Sequence, residues 1–228
     1  MNQEENYNAM IQGDIYRISY STDPLEIGVF PQASFSYFEG VDSDDISYFS
    51  DLSKVTSGIK VVAGANFTDF LNVIDCGCHE GLICSEEALL SIQELKLPPK
   101  QSLRINALNK KKLSRSYWVN LFDHNFYDFI DYAKSRFIAK GFVDSDILIE
   151  EEDRQRFEER YLQIKRQSLF AVYPDEVYLK KELIDKVDLF SFPKYGIDLY
   201  ATANFYRLYL ERKMSGLQFE PIKSFFFY

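Results

Sequence analysis

"GLICSEEALLSIQELKLPP", Gly81 to Pro99, is the stretch on which the fold turns. Gly81 to Cys84 is short and apolar, the signature of a buried strand. Ser85 stands where an N-cap belongs, and Glu86 and Glu87 place carboxylates in the first helical turn, where the helix dipole favours them. Leu89, Leu90 and Ile92 then supply an apolar helix face, and Pro98-Pro99 is expected to stop the helix. A strand therefore passes straight into a helix across a single hydroxyl residue.

The same grammar of strand, helix, turn and strand returns in "GIDLYATANFYRLYLERKMSGLQFEPI", residues 196–222. A shift of 116 residues sets Asp69 on Asp185, Leu71 on Val187, Ile83 on Leu199, Leu89 on Phe205 and Leu103 on Phe219. Identity is almost nil, but the pattern suggests two similar strand–helix–strand units.

Outward from these units, "DIYRISYS" (Asp14 to Ser21), "GIKVVAG" (Gly58 to Gly64), "SLRINAL", "RSYWVNLF", "SLFAVY" and "DLFSF" read as strands. Residues 31–58 read as a loop rich in Ser, Gly and Asp. "NFYDFIDYAKSRFIAKG" carries Phe126, Phe129, Ile130, Ala133 and Phe137 at helical spacing and predicts an amphipathic helix closed by Gly141. "EEEDRQRFEERYLQIKRQ" predicts a solvated helix with pairs such as Glu152–Arg156. Pro174-Asp175 is expected to open a helix toward "ELIDKV". The closing "SFFFY" can be stable only if paired or covered.

These elements predict an α+β fold, with mixed or antiparallel sheets and packed helices. They form one domain over 1–228 or two intimately packed halves, 1–122 and 123–228. The 46% hydrophobic and 27% charged residues of the 228-residue chain supply an ordinary core, and 16% aromatics lean toward β-structure. The net charge of −9 repels phosphate backbones, so nucleic acid is not expected as a partner. It suits a basic protein partner as well as plain solubility. The start of the chain has no basic segment leading into an apolar one, and no apolar run approaches the roughly 20 residues of a membrane span. A cytoplasmic protein is the expectation, and three cysteines crowded into one stretch do not make a disulfide framework.

Those cysteines form "DCGCHEGLIC", with Cys76, Cys78, His79 and Cys84 in a C-x-C-H-x4-C arrangement. Structural zinc sites draw ligand pairs from separated segments, whereas these ligands are compressed into nine residues. Cys84 also occupies an inward strand position, and the second unit has Phe192, Lys194, Tyr195 and Tyr200 at the equivalent places. The four are read as packing and turn residues; the alternative is a small metal-binding protein or cysteine-dependent enzyme centred on them. His124 reads as a cap or a solvent-facing residue. No nucleophile elbow, phosphate-binding loop or paired metal-ligand helix motif is present, and no catalytic residue or cofactor is expected.

A binding role is better served. In "EGVDSDDISYFSD", Asp42, Asp44, Asp45 and Asp51 interleave with Tyr48 and Phe49, giving aromatic anchors beside carboxylates that would steer a basic partner. The competing reading is a polar loop whose two aromatics tuck into the core. Acidic residues gather again in "DSDILIEEEDRQ".

Taken in order, "TDFL", "LICSEEALLSI", "YWVNLF", "FIDYAKSRF" and "SGLQF" resemble the DUF1629-type immunity proteins of bacterial polymorphic toxin systems. The resemblance spans residues 60–222 through short motifs. Ser215 stands where that family commonly has Thr before Gly, and the charged segment 150–167 is unusual for it. The resemblance implies an α+β protein of the bacterial cytosol that binds and neutralises a cognate toxin, with neither catalysis nor cofactor. It assigns no functional residue, and Asp131 and Ser135 are as open to a structural role as to any other. Self-association through a strand such as "SFFFY" is the remaining expectation.

Overall fold

The structure, a computed structural model, describes residues 15–39, 48–49, 51–74, 81–109, 112–141, 146–167, 171–192 and 198–228. It is an α+β protein. The contacts of its described residues divide into an N-terminal unit, within 18–123 and 204–220, and a C-terminal unit, within 15–17, 124–203 and 221–228.

The N-terminal unit is built on a six-stranded mixed sheet of order β4-β2-β3-β6-β7-β5. Its strands are β2 (Ala33–Glu39), β3 (Thr56–Val61), β4 (Val73–Ile74), β5 (Gly81–Ser85), β6 (Lys100–Asn109) and β7 (Lys112–Phe122). The β6–β7 hairpin is antiparallel, while β3–β6 and β2–β4 are parallel. Alternation fixes the buried face: Leu103, Ile105 and Ala107 point inward, and Ser102, Arg104 and Asn106 point out. Ile59, Leu71, Ile83, Ile105, Tyr117, Val119 and Leu121 fill the core on that face. Each fully buried side chain of this size contributes roughly 1.5–3 kcal/mol.

Helix α1 (Pro24–Ile27) precedes β2, and α2 (Glu86–Ile92) follows β5 without a loop. Ser85 is its N-cap and accepts a hydrogen bond from Ala88 N at 3.2 Å. The helix buries Ala88, Leu89 and Ile92, whereas Leu90 faces solvent. It also ends at Ile92, well before Pro98-Pro99. Helix α5 (Ala203–Glu211) buries Phe205, Leu208 and Tyr209, with Tyr209 on Phe70 and Phe219. It leads into β13 (Leu217–Ile222), which lies beside β1 (Ile15–Tyr20).

The C-terminal unit contains a second sheet, of order β14-β10-β8-β9. The strands are β8 (Arg136–Lys140), β9 (Ile147–Ile149), β10 (Ala171–Leu179) and β14 (Phe225–Phe227). Helix α3 (Arg154–Gln167) sends Phe157 and Ile164 into the core of this unit, where the Phe157 ring sits 4.6 Å from that of Phe137. Glu152, just ahead of this helix, makes the expected pair with Arg156 of its first turn at 2.7 Å. The antiparallel pair β11 (Leu189–Ser191) and β12 (Leu199–Thr202), preceded by the short α4 (Glu182–Lys186), adds Phe190 and Tyr200, which pack with Phe225.

Three expectations are corrected here. Residues 126–140 do not form an amphipathic helix: a 3₁₀ turn at Tyr127–Phe129 leads through the Asp131–Ser135 turn into β8. The spacing of apolar residues is compatible with a helix, but Phe137 and Ala139 are buried in strand alternation because β10 and β9 flank them on both sides. Pro174-Asp175 does not open a helix, since β10 continues through it with a register shift between Pro174 and Glu176. An irregularity of that kind is where a strand tolerates a residue without an N–H. Finally, residues 31–58 contain β2 and the start of β3, paired from Ala33↔Val61 to Glu39↔Thr56. "SFFFY" is paired, through β14 parallel to β10. Among the described residues no helix is long and apolar enough to cross a membrane.

Candidate functional site

The connection between β2 and β3 is the acidic, aromatic segment singled out in the sequence. Asp42, Asp44 and Asp45 lie outside the described residues, whereas Tyr48 and Phe49 form a turn. Phe49 is 81% exposed, so it does not tuck into the core; Tyr48 is half-buried. Their rings meet edge-on at 5.1 Å. The Tyr48 carbonyl accepts a hydrogen bond from Gln101 Nε2, which fixes the turn to the start of β6. On its far side Asp51 caps a 3₁₀ turn over Leu52–Lys54, accepting from Ser53 N at 3.1 Å and from Ser53 Oγ at 2.6 Å. The Ser53 hydroxyl and amide hold the Asp51 carboxyl below its ordinary range, which favours its ionised form.

An exposed phenylalanine next to a residue bonded to the sheet through Gln101 is a preorganised contact point. The sheet register sets its surroundings: Gln101 pairs with Leu121, which pairs with Gly81. Gly81 is the first described residue after the cysteine-bearing segment, so both stretches singled out in the sequence join the sheet at the same end.

Of the cysteine cluster, Cys76, Cys78 and His79 lie outside the described residues. Cys84 is fully buried on β5 opposite Trp118, and its Sγ accepts a hydrogen bond from Asn120 Nδ2 at 3.2 Å. Burial pushes its thiol up to about 12, and Asn120 has all its polar atoms engaged, donating to Leu82 O and Trp118 O and accepting from Ser102 Oγ. Cys84 is thus a protonated packing residue rather than a thiolate. Among the described residues no group of three His, Cys, Asp or Glu side chains is placed to hold a metal ion. His124 is 5% exposed, so it does not face solvent, and the 3₁₀ turn that follows has Phe126 at its N-cap with no side-chain cap bond.

The motifs behind the family resemblance converge. Asp69 of "TDFL" accepts at Oδ2 from Ser215 N and Ser215 Oγ, both at 3.0 Å, and at Oδ1 from Ser85 Oγ at 3.3 Å. Its backbone carbonyl accepts from Ser85 N at 2.7 Å. Tyr117 of "YWVNLF" donates its hydroxyl to Thr68 O at 2.8 Å, and burial pushes that phenol up to about 12. Gly216 of "SGLQF" has φ +98°, and a Cβ there would lie 2.0 Å from Phe70 O. Four short motifs are therefore one clasp around Thr68–Phe70, with Arg115 bridging Glu87 at 3.1 Å and Asp69 at 3.7 Å on its surface. The hydroxyls of Ser85 and Ser215 are both engaged on Asp69, so the clasp serves to hold strands together.

The fifth motif behaves likewise. Ser135 Oγ donates to Asp131 O at 2.6 Å and accepts from Tyr178 N at 2.9 Å, while Asp131 N donates to Tyr178 O at 2.8 Å. Asp131 and Ser135 thus dock a turn onto β10.

A second clasp exists in the C-terminal unit, and it revises the register of the internal echo. Thr202 N donates to Asp188 O at 3.0 Å and Thr202 Oγ1 donates to Asp188 Oδ1 at 2.6 Å, immediately before α5. This reproduces Ser85 on Asp69 before α2. Asp69 therefore corresponds to Asp188 rather than Asp185, and Ser85 to Thr202, because the connections between strands differ in length. No family model matches the chain, and no curated protein matches it.

Proposed function

We propose that the chain is a protein-binding module of the immunity type, which neutralises a cognate toxin in the bacterial cytosol by covering its surface. The observation that carries this reading is Phe49, 81% exposed on a turn held by Gln101 and by the Asp51 cap. An aromatic ring in water, two residues from a capping carboxylate, is the composition of an interface anchor with an electrostatic rim. The −9 charge of the chain fits a basic toxin. The motif resemblance supplies the toxin-neutralising part of the proposal, and the clasp around Thr68–Phe70 gives a physical reason for those motifs to travel together.

The test begins with a search for a secreted toxin encoded beside this gene. Co-expression rescues cells, and the purified pair binds. Phe49→Ala weakens binding at least about tenfold, as an interface anchor does, with an unchanged melting temperature. Absence of such a toxin, or rescue and affinity indifferent to Phe49, overturns the proposal. Stoichiometric zinc in the purified protein would favour the metal-binding alternative instead.

A further inference from the structure

Solvent-facing sides of antiparallel sheets are ordinarily polar. The outer face of the sheet β14-β10-β8-β9 is not. Its inner face is filled by Phe137, Ala139, Ile149, Val172, Val177 and Leu179, all in the core of the C-terminal unit. Outward, the register places Tyr173 opposite Ile138 and Ile138 opposite Leu148, an apolar row across three strands. Tyr173 is 41% and Leu148 52% exposed. One strand further, Tyr178 pairs with Phe226, and their rings stack at 5.0 Å. Between the row and the stack Arg136 bridges Glu176 at 2.5 Å and Asp175 at 3.4 Å. Lys140 stands over the Tyr173 ring at 5.8 Å.

This pattern is self-complementary. Glu176↔Arg136 and Tyr173↔Ile138 are both cross-strand pairs of β10 and β8. A two-fold axis lying over this face, parallel to the strands and midway between β10 and β8, exchanges the members of each pair. In a face-to-face pair, Tyr173 of one copy then meets Ile138 of the other, and Arg136 meets Glu176, twice each, as an isologous contact requires. The charges also favour this face over others. The chain carries −9 overall, so two copies repel generally, but here Arg136 and Lys140 balance Glu176 and Asp175.

We propose that this face is a self-association surface whose occupant is a second copy of the chain. Four strands about 4.8 Å apart and about five residues long give a footprint of only roughly 300–500 Å² per copy, short of the roughly 800 Å² of a standard interface. The dimer is therefore weak and concentration-dependent. "SFFFY" takes part through the Phe226 ring and not through strand pairing. The proposal rests on different residues from the toxin-binding reading, since Phe49 belongs to the other unit.

Sedimentation equilibrium of the full chain, from low micromolar to submillimolar concentration, tests it. The expected result is a monomer–dimer equilibrium whose dissociation constant rises at least tenfold in Leu148→Glu and in Tyr173→Glu. Arg136→Glu alone and Glu176→Arg alone are each monomeric, but their equimolar mixture dimerises. In the mixture two carboxylates on one copy face two guanidinium groups on the other, so both contacts between copies regain opposite charges. Glu176→Arg keeps Arg136 on Asp175 and Arg136→Glu loses both bridges, but mixing alters neither chain internally, so only a contact between copies explains recovery. Melting curves of each variant establish that it is folded. A monomer throughout, a dimer indifferent to Leu148 and Tyr173, or a mixture that stays monomeric overturns the proposal. Association through lipid or another protein is excluded by using purified protein without vesicles.

Discussion

Replacing Gly216 by alanine should unfold the clasp. At φ +98° an L-residue is strained by about 1–3 kcal/mol. The new Cβ would lie 2.0 Å from Phe70 O and 2.9 Å from Thr68 Oγ1, so the backbone must shift to make room. That shift pulls on Phe70 N–Ser215 O, at 2.9 Å, and on Gly216 N–Glu26 Oε1, at 2.7 Å. Each bond contributes about 1 kcal/mol, so the total loss is about 3–5 kcal/mol. Gly64→Ala is the control. Its φ of +88° carries similar strain, but its Cβ would meet only Val29 Cγ2, at 3.4 Å. That change should cost about 1–2 kcal/mol. Urea unfolding monitored by tryptophan fluorescence measures both, since Trp118 lies on β7 of the same unit. At about 2–4 °C per kcal/mol, Gly216→Ala should lower Tm by roughly 10 °C. Equal losses for the two variants would refute the reasoning, because strain alone would then suffice.

Thr202→Val should cost about 2 kcal/mol or more by leaving the buried Asp188 carboxylate without its hydroxyl, whereas Ser85→Ala should cost about 1 kcal/mol through loss of the cap; urea titration compares them. Cys84 should resist a thiol-alkylating reagent at neutral pH and react only in denaturant, read by peptide mass spectrometry, because its burial keeps the thiol protonated up to about pH 12. At Asp131, burial pushes the pKa up, but hydrogen bonds from Lys134 and Tyr228 outweigh it and leave the carboxyl below its ordinary value. A depressed carboxylate stabilises the fold above its unfolded pKa and ceases to do so as pH falls through its folded one. Tyr228→Phe should therefore lower stability at neutral pH and leave it nearly unchanged at the acid end, which flattens the acid limb of the profile followed by urea titration.

Legibility in the sequence follows the locality of the cause. Ser85 as a cap, the β6–β7 hairpin and the Glu152–Arg156 helix depend on neighbours within a few residues, and each is where the pattern places it. The segment 126–140 misleads because two long-range strands override a spacing that suits a helix equally well. Pro174 misleads because the irregularity that accommodates it belongs to the partnership with β8. The turn that exposes Phe49 is tied by Gln101, 53 residues on from Tyr48, which no local pattern reveals. The clasp is visible in the sequence only as separate motifs, and Asp69, Ser85, Tyr117 and Ser215 carry no signal that they meet. The internal echo reads at the wrong register, since apolar spacing tolerates small slips that a carboxylate–hydroxyl pair does not.

Asp69 and Ser215 are 146 positions apart in the chain yet share three hydrogen bonds. At a synthesis rate of about 5–20 residues per second, Asp69 leaves the ribosome roughly 7–30 s before its partner is made. Through that interval the N-terminal sheet exists without α5 and β13, its Thr68–Phe70 edge open to any passing strand. Nascent chains of this protein thus have a window in which chaperones matter more than sequence, and production at lower temperature or with holdase chaperones present should raise the soluble yield for that reason.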